Sequence, residues 1–148
     1  MADSPDPAST LAEVGEFGLI SSLVETFAST DERVLVGPGD DAAVLRIRNG
    51  HVVVSTDLMV EGRHFRRDWA AAHDVGRRAA AQNLSDINAM GGVATHLTIG
   101  LAAPADLPTA WALDFARGIA DECGLVGASV VGGDLTRADQ IVVSVTVL

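Results

Sequence analysis

Apolar residues recur along the chain at spacings that predict three helices. Over residues 14–27 the apolar positions are three or four residues apart, as on one face of a helix. The same period predicts helices over residues 74–90 and 108–123. Glycines follow both of these, at residues 91–92 and at Gly124. They favour helix ends there because glycine adopts positive φ without strain.

Runs of β-branched and apolar residues predict six strands. They cover residues 34–36, 43–48, 51–56, 93–102, 128–131 and 140–148. Asn49-Gly50 joins the second and third strands and is typical of a type I′ hairpin turn, in which both central residues need positive φ. Residues 61–71 and 132–137 predict loops. Hairpins combined with crossover helices predict an α+β fold, with helices over one face of a mixed, partly antiparallel sheet.

The two ends of the chain differ in character. Residues 1–10 are rich in Pro, Ser and Asp and predict a disordered tail, so the folded domain is expected over residues 11–148. The last apolar run, over residues 141–148, ends without a turn or a polar segment. A free apolar strand edge promotes aggregation. We therefore expect either a longer protein of which this chain is a part, or a partner that covers the strand.

Charge and composition narrow the possible functions. The chain has 148 residues and a formal net charge of −10, which argues against nucleic acids and anionic membranes as partners. It contains no lysine, which excludes a Walker lysine, a lysine Schiff base and a lysine general base. Any phosphate chemistry must therefore use a metal, arginine or backbone N–H groups.

The expected compartment is the cytoplasm. No apolar run reaches about 18 residues, the length that a transmembrane helix needs. The acidic N-terminus has no apolar signal segment. The single cysteine, Cys123, excludes an intramolecular disulfide and is interpreted as a core residue.

Four aspartates lie beside glycines or hydroxyl groups. They are Asp41 in Gly37-Pro38-Gly39-Asp40-Asp41, Asp57 after Ser55-Thr56, Asp86 after Ser85, and Asp134 after Gly132-Gly133. Carboxylate and hydroxyl oxygens are the ligands that Mg²⁺ prefers, and glycine lets a backbone approach a phosphate closely. Each segment also has a plain structural interpretation: a turn, a strand that meets solvent, a solvated helix residue or a hairpin loop.

Two other residues are candidates for ligand contacts. His64 lies in a predicted loop soon after Asp57, where it is either a surface residue or a ligand contact. Arg137 follows Asp134 and is either solvated or close to a phosphate. The chain has no GxSxG, HExxH, GxGxxG or P-loop motif. Taken singly, these residues do not decide the function.

The segments gain specificity from their order and spacing. They are Gly15-Glu16-Phe17-Gly18-Leu19-Ile20, Gly39-Asp40-Asp41-Ala42-Ala43, Ser55-Thr56-Asp57, Gly62-Arg63-His64-Phe65, Asn83-Leu84-Ser85-Asp86-Ile87-Asn88-Ala89-Met90-Gly91 and Gly132-Gly133-Asp134-Leu135-Thr136-Arg137. As a set they resemble the N-terminal half of the thiamine-monophosphate kinase family, within the aminoimidazole-ribonucleotide-synthetase-like superfamily. The resemblance extends from Gly15 to the last predicted strand.

The resemblance implies a reaction and a set of site residues. The family uses ATP to phosphorylate thiamine monophosphate to thiamine diphosphate, and its N-terminal domain has the α+β fold predicted above. The implied Mg²⁺ ligands are Asp41, Ser55, Thr56, Asp57, Asp86 and Asp134. Gly133 and Asp134 are implied at the ATP phosphates and His64 at the thiamine substrate, while Asp41 is favoured over Asp40 as a ligand. A homodimer formed through sheet strands is also implied, and so is a second domain that this chain lacks, without which it is expected to be inactive.

Two alternatives remain at this point. The first is another ATP-using enzyme of the superfamily. A selenophosphate synthetase would need an N-terminal cysteine or selenocysteine and a lysine, which this chain lacks, and purine-pathway or hydrogenase-maturation relatives lack the combination of Ser55-Thr56-Asp57 with Gly62-Arg63-His64-Phe65. The second is a non-catalytic, Mg²⁺-binding dimerisation domain.

Overall fold

The computed structural model describes residues 8–38, 42–47 and 50–148, which form three helices and six strands. In chain order these are α1 (Leu11–Thr26), β1 (Val34–Val36), β2 (Val44–Leu45), β3 (Ser55–Val60), α2 (Ala72–Ala89), β4 (His96–Ala103), α3 (Thr109–Val126), β5 (Ser129–Arg137) and β6 (Val142–Val147). No helix in this part of the chain is both long and apolar enough to cross a membrane. The predicted tail lies mostly outside the described residues.

Four strands form the main sheet, in the order β3-β6-β4-β5. β6 runs antiparallel to both of its neighbours, while β4 and β5 are parallel and are joined by α3. β1 and β2 form a separate antiparallel pair. The sheet is therefore mixed, and the predicted α+β class is confirmed.

The core lies between one face of this sheet and the helices α2 and α3. Alternate residues of β6 are fully buried, namely Val143, Val145 and Val147, whereas Ser144 and Thr146 between them are partly exposed. Because side chains alternate across a strand, this pattern shows that the helices cover one face only. The other face stays open to solvent.

Two glycines allow α2 and α3 to pack closely. A Cβ atom on Gly76 would lie 2.0 Å from the carbonyl oxygen of Phe115, and one on Gly118 would lie 2.0 Å from that of His73. Both contacts are with backbone atoms, which cannot move aside as a flexible side chain can. The helix pair that supports the site therefore requires glycine at both positions.

Helix ends agree with the glycine pattern at α2 but not at α3. α2 ends just before Gly91, which has φ 73°, as predicted. The prediction that α3 ends at Gly124 is wrong, because the helix continues to Val126. Gly127 ends it in the left-handed conformation, with φ 68°, and its N–H donates to the carbonyl of Cys123.

The structure also corrects three strand predictions. β3 begins at Ser55, near the end of the strand predicted over residues 51–56, and its pairing with β6 runs from Ser55–Val147 to Val60–Val142. Residues 132–137 are not a loop, since β5 pairs with β4 as far as Arg137. β2 pairs with β1 and not with β3, and Asn49 of the predicted hairpin turn lies outside the described residues.

The last strand has no free edge. β6 lies between β3 and β4 and is hydrogen-bonded to both. The expectation that this strand needs a partner is therefore wrong. The outer edges of the main sheet belong to β3 and β5 instead.

Candidate functional site

The start of β3 faces α2 and brings three of the predicted ligands together. Ser55 and Asp57 lie on the same face of β3 as the buried Met59, because their positions alternate along the strand. The Ser55 hydroxyl donates to Oδ2 of Asp86 on α2 at 3.2 Å. Two carboxylates and a hydroxyl therefore lie at one junction between helix and sheet.

A stripe of side chains on α2 connects this junction to the His64 loop. Its members, Arg78, Gln82 and Asp86, are four residues apart and so share one helix face. The Gln82 side-chain amide donates to the Asp57 carboxylate. Nη1 of Arg78 donates to the backbone carbonyl of His64 at 2.6 Å. The sequence analysis missed Gln82 and Arg78, although their spacing from Asp86 is a visible signal.

His64 is held in one ring orientation. The backbone N–H of Val60 donates to Nδ1 of His64 at 2.9 Å, and the backbone N–H of His64 donates to the Val60 carbonyl at 2.8 Å. Because Nδ1 accepts, the neutral ring carries its proton on Nε2. The half-buried His64 can therefore present an N–H donor to a ligand.

Thr56 and Asp134 lie on the open face of the sheet. The Thr56 hydroxyl is 2.9 Å from that of Thr146 on β6. Asp134 is exposed on β5, beside a shallow cavity of about 310 Å³ that Gly100 and Ser144 also line. Thr56 and Asp134 are on the first and fourth strands, so about 14 Å of sheet separates them. One Mg²⁺ ion, with ligands at about 2.1 Å, cannot contact both within a single copy.

The donor chemistry fits Mg²⁺, although the described ligands alone do not complete a site. No three His, Cys, Asp or Glu side chains cluster closely enough to hold an ion within residues 8–38, 42–47 and 50–148. Asp40 and Asp41 lie outside these ranges. Asn83, which is 1% exposed, has an amide oxygen without a hydrogen-bond partner in the described structure. The residues at the β3–α2 junction are hard oxygen donors, so they fit Mg²⁺ in kind.

Gly133 has a structural reason to be glycine besides the one predicted. A Cβ atom there would lie 2.1 Å from the carbonyl oxygen of Ile99 on β4. Gly132 has more room, with Thr98 as its nearest neighbour at 3.7 Å. Close pairing of β4 and β5 therefore requires Gly133 whether or not a phosphate binds beside it.

A second polar cluster lies apart from these residues, before β1. Nη2 of Arg33 is 2.7 Å from Asp31, and hydrogen bonding from Arg33 lowers the pKa of Asp31 to about 2. Nε2 of the buried His96 is 3.4 Å from Asp31, and burial lowers the pKa of His96 from its usual 6.5. Arg33 also donates to the Gly127 carbonyl at 3.0 Å. The cluster anchors the segment before β1 to β4 and to the end of α3.

The half-covered mixed sheet and its helices define an α+β domain, with two carboxylates and a hydroxyl group where β3 meets α2. Residues 39–148 match the family described as AIR synthase related protein, N-terminal domain. The chain belongs to this family.

Similar proteins agree with the resemblance drawn from the motifs. The chain is 48% identical over 139 residues to the thiamine-monophosphate kinase of Mycobacterium tuberculosis strain H37Rv, a match that covers 94% of this chain and 41% of that protein. The crystal structure of thiamine-monophosphate kinase from Stenotrophomonas maltophilia K279a matches with a TM-score of 0.74 at 33% identity, over 90% of this chain and 41% of that one. A solved complex of AaThiL with AMPPCP and TMP matches with a TM-score of 0.62 at 30% identity, over 94% of this chain and 43% of that one. The chain thus spans about two fifths of the length of these relatives.

Proposed function

We propose that a polypeptide containing this chain transfers a phosphoryl group from ATP to thiamine monophosphate, giving thiamine diphosphate. The observation that carries the proposal is the 48% identity to a thiamine-monophosphate kinase across 94% of the chain. The solved complex of a related protein with AMPPCP and TMP supports the same pair of substrates. This chain supplies the carboxylate side of the site.

The proposed ligand roles follow the resemblance. Gly133 and Asp134 bind the ATP phosphates, and His64 contacts the thiamine substrate. The Mg²⁺ ligands are Asp41, Ser55, Thr56, Asp57, Asp86 and Asp134. The contact between Ser55 and Asp86 supports part of this set, and the free Nε2–H of His64 supports its role at a substrate.

Phosphoryl transfer asks the protein mainly for positioning and charge stabilisation. When bound, Mg²⁺ neutralises the charge of the two phosphorylated substrates and of the transferred group. Ser55, Asp57 and Asp86 fix where that positive charge lies, because β3 and α2 hold them rigidly. The acceptor is a phosphate oxygen, already anionic near neutral pH, so the reaction needs no general base. This agrees with the absence of lysine.

We propose that the protein forms a homodimer through sheet edges. β3 and β5 each have one paired side among the described strands, and the residues before β3 are apolar and exposed, with Val52 53% and Val54 60% accessible. Pairing between copies would satisfy the free backbone groups and cover this surface. It would also offer a route for ligands on opposite edges, such as Thr56 and Asp134, to meet. Light scattering that shows only monomer at micromolar concentration would contradict the dimer.

Formation of thiamine diphosphate tests the proposed reaction. The purified polypeptide that extends this chain to the length of its relatives is incubated with ATP, Mg²⁺ and thiamine monophosphate. We expect thiamine diphosphate to form, and none to form when ATP is omitted. No product from a folded polypeptide would favour the non-catalytic, Mg²⁺-binding domain instead.

We also propose that the protein is located in the cytoplasm. Fractionation of cells tests this location.

A further inference from the structure

The stripe on α2 matches the spacing of the residues that it contacts. An α-helix rises about 1.5 Å per residue, so side chains four residues apart are about 6 Å apart along its axis. Two residues of a strand span about 6.6 Å. Because the two spacings are nearly equal, Asp86 contacts Ser55 and Gln82, one helical turn earlier, contacts Asp57. One further helical turn brings Arg78 to the loop that follows β3.

We propose that Gln82 and Arg78 are positioning residues, through which one face of α2 orients the Asp57 carboxylate and the His64 loop. The proposal rests on the proposed function, because it takes Asp57 as a Mg²⁺ ligand and His64 as a contact of the thiamine substrate. Neither Gln82 nor Arg78 needs to touch the reacting groups. Each acts through the residue that it holds.

Gln82 suits its role because it donates without carrying a charge. Its amide occupies one acceptor position of the Asp57 carboxylate, which has about four such positions over its two oxygens. The remaining positions stay available to a cation. An arginine in this place would orient the carboxylate equally well but would cancel the negative charge that attracts the ion. Removing a partner that orients a metal ligand lowers metal affinity by about 10–100-fold in known sites.

Arg78 differs from its neighbour Arg77 in what it binds. Arg77 is paired with Glu122 on α3 at 2.8 Å, so it joins two helices. Arg78 has no carboxylate partner in the described part of the chain and uses Nη1 to hold the His64 carbonyl. The Val60 N–H holds the His64 ring. The adjacent arginines thus provide a matched pair for experiment.

The test for Gln82 is a calorimetric titration of MgCl₂ into the wild-type and Gln82→Met proteins. Methionine keeps the length and much of the volume of glutamine but cannot donate. We expect Mg²⁺ affinity to fall by about 10-fold or more, while circular dichroism and the acceptor KM of the extended polypeptide stay near wild type. Unchanged Mg²⁺ affinity would overturn the role of Gln82. So would an equal loss of acceptor binding, which would indicate general damage to the fold.

The test for Arg78 uses Arg78→Met, Arg78→Lys and the control Arg77→Met. We expect Arg78→Met to raise the acceptor KM by about 10-fold, by analogy with other supporting contacts, and to leave Mg²⁺ affinity unchanged. Lysine, which can still donate to a carbonyl, should restore most of the loss. Arg77→Met should leave both quantities unchanged. An equal KM increase in Arg77→Met would overturn the role of Arg78.

A measurement that does not depend on catalysis tests the two positioning roles separately from the proposed reaction. Nitrogen-15 NMR of the imidazole reports whether the proton of His64 stays on Nε2. We expect one tautomer in the wild type and a mixture in Arg78→Met. If the wild type forms no thiamine diphosphate, the proposed reaction fails, while the MgCl₂ titration and the NMR spectrum still decide the two positioning roles. A single unchanged tautomer in Arg78→Met would count against Arg78.

Discussion

The Asp57 carboxylate lies where β3 meets α2, and its surroundings set what it can do. Gln82 donates to it, and Ser55 on the same strand face donates to Asp86 nearby. No arginine is paired with Asp57 among the described residues. The carboxylate therefore keeps its negative charge for a ligand.

We predict that Asp57→Asn in the extended polypeptide lowers turnover by about 100-fold or more, whereas Asp40→Asn has a much smaller effect. Asparagine keeps the shape of aspartate but removes the charge, and loss of one electrostatic stabiliser typically costs that much. Asp40 is expected only to shape the glycine turn. Steady-state kinetics at saturating Mg²⁺ measures both variants. Equal losses would mean that the roles within the Asp40–Asp41 pair are assigned wrongly.

The buried His96 gives a prediction for pH dependence. Because burial lowers its folded pKa below 6.5, the unfolded state binds a proton more readily as the pH falls through that value. The contribution of His96 to the free energy of unfolding is therefore present in full above pH 6.5 and decreases below that pH. Asp31 and Arg33 face the ring and act oppositely on it, Asp31 raising and Arg33 lowering its pKa.

Urea unfolding of wild type and His96→Asn between neutral pH and about pH 5 tests this assignment. We expect the wild-type free energy of unfolding to fall across the range and that of His96→Asn to fall less. The Asp31 carboxylate has a pKa of about 2 against the usual 3.8. Its contribution to the free energy of unfolding is therefore lost only at lower pH, as the pH falls from the usual value towards the lowered one. Parallel slopes for the two proteins would contradict the role of His96.

At the scale of helices and strands, the spacing of apolar residues predicts where these elements form but not which strands pair with one another. α2 and α3 were predictable because each buries one face. α1 forms where its apolar spacing predicts a helix, but among its residues only Leu19 is buried and Phe17 is 83% exposed. The pairing of β6 with β3 and β4 was not predictable, since any of the apolar runs could fill a central position. Gly132-Gly133 suggested a loop, yet Gly133 is required for close approach to Ile99 within the sheet. Gln82 was missed for a similar reason, because only its pairing with Asp57 gives it a role.

Replacing either of two glycines of α3 by alanine should change the stability of the protein, but in opposite directions. Gly118→Ala places a methyl group 2.0 Å from the His73 carbonyl oxygen, and such overpacking typically destabilises by about 1–3 kcal/mol. A methyl group on Gly124 would meet no atom of the described chain within 4 Å, so alanine there should stabilise the helix by up to about 1 kcal/mol. Urea unfolding measures both. Similar effects of the two substitutions would mean that α2 and α3 do not pack as closely as described.

At the scale of the whole molecule, the candidate ligands are divided between the two faces of one sheet. Ser55, Asp57 and Asp86 lie on the helix side, while Thr56 and Asp134 lie on the open side. The motifs could not reveal this division, because it depends on the side-chain direction at each strand position. Whether these ligands can act together therefore depends on how many copies of the chain associate and on the rest of the polypeptide.

Mg²⁺ should stabilise the 148-residue chain. The Asp57 and Asp86 carboxylates lie at one junction, so their mutual repulsion is relieved by a cation that binds only the folded state. At about 100 times its Kd such a ligand adds roughly 2.7 kcal/mol to the free energy of unfolding. Thermal melts in millimolar MgCl₂, compared with KCl at matched ionic strength, measure the effect. Identical melting temperatures would show that the described carboxylates do not form a working cation site in this chain.

The 148-residue chain alone should be a poor kinase even though it folds like part of one. It spans about 41% of the thiamine-monophosphate kinase that it resembles at 48% identity. Transfer depends on holding donor and acceptor in line, and a misplacement of about 1 Å can cost about 100-fold. Here the β3–α2 junction lies on one side of the sheet and Asp134 on the other. If the proposed reaction holds, we expect residues outside this chain to close the site around both substrates. Thiamine diphosphate formation by the chain, compared with the extended polypeptide at equal Mg²⁺, measures the loss. Turnover by the chain within about tenfold of the longer protein, far less than such a misplacement costs, would show that these residues suffice.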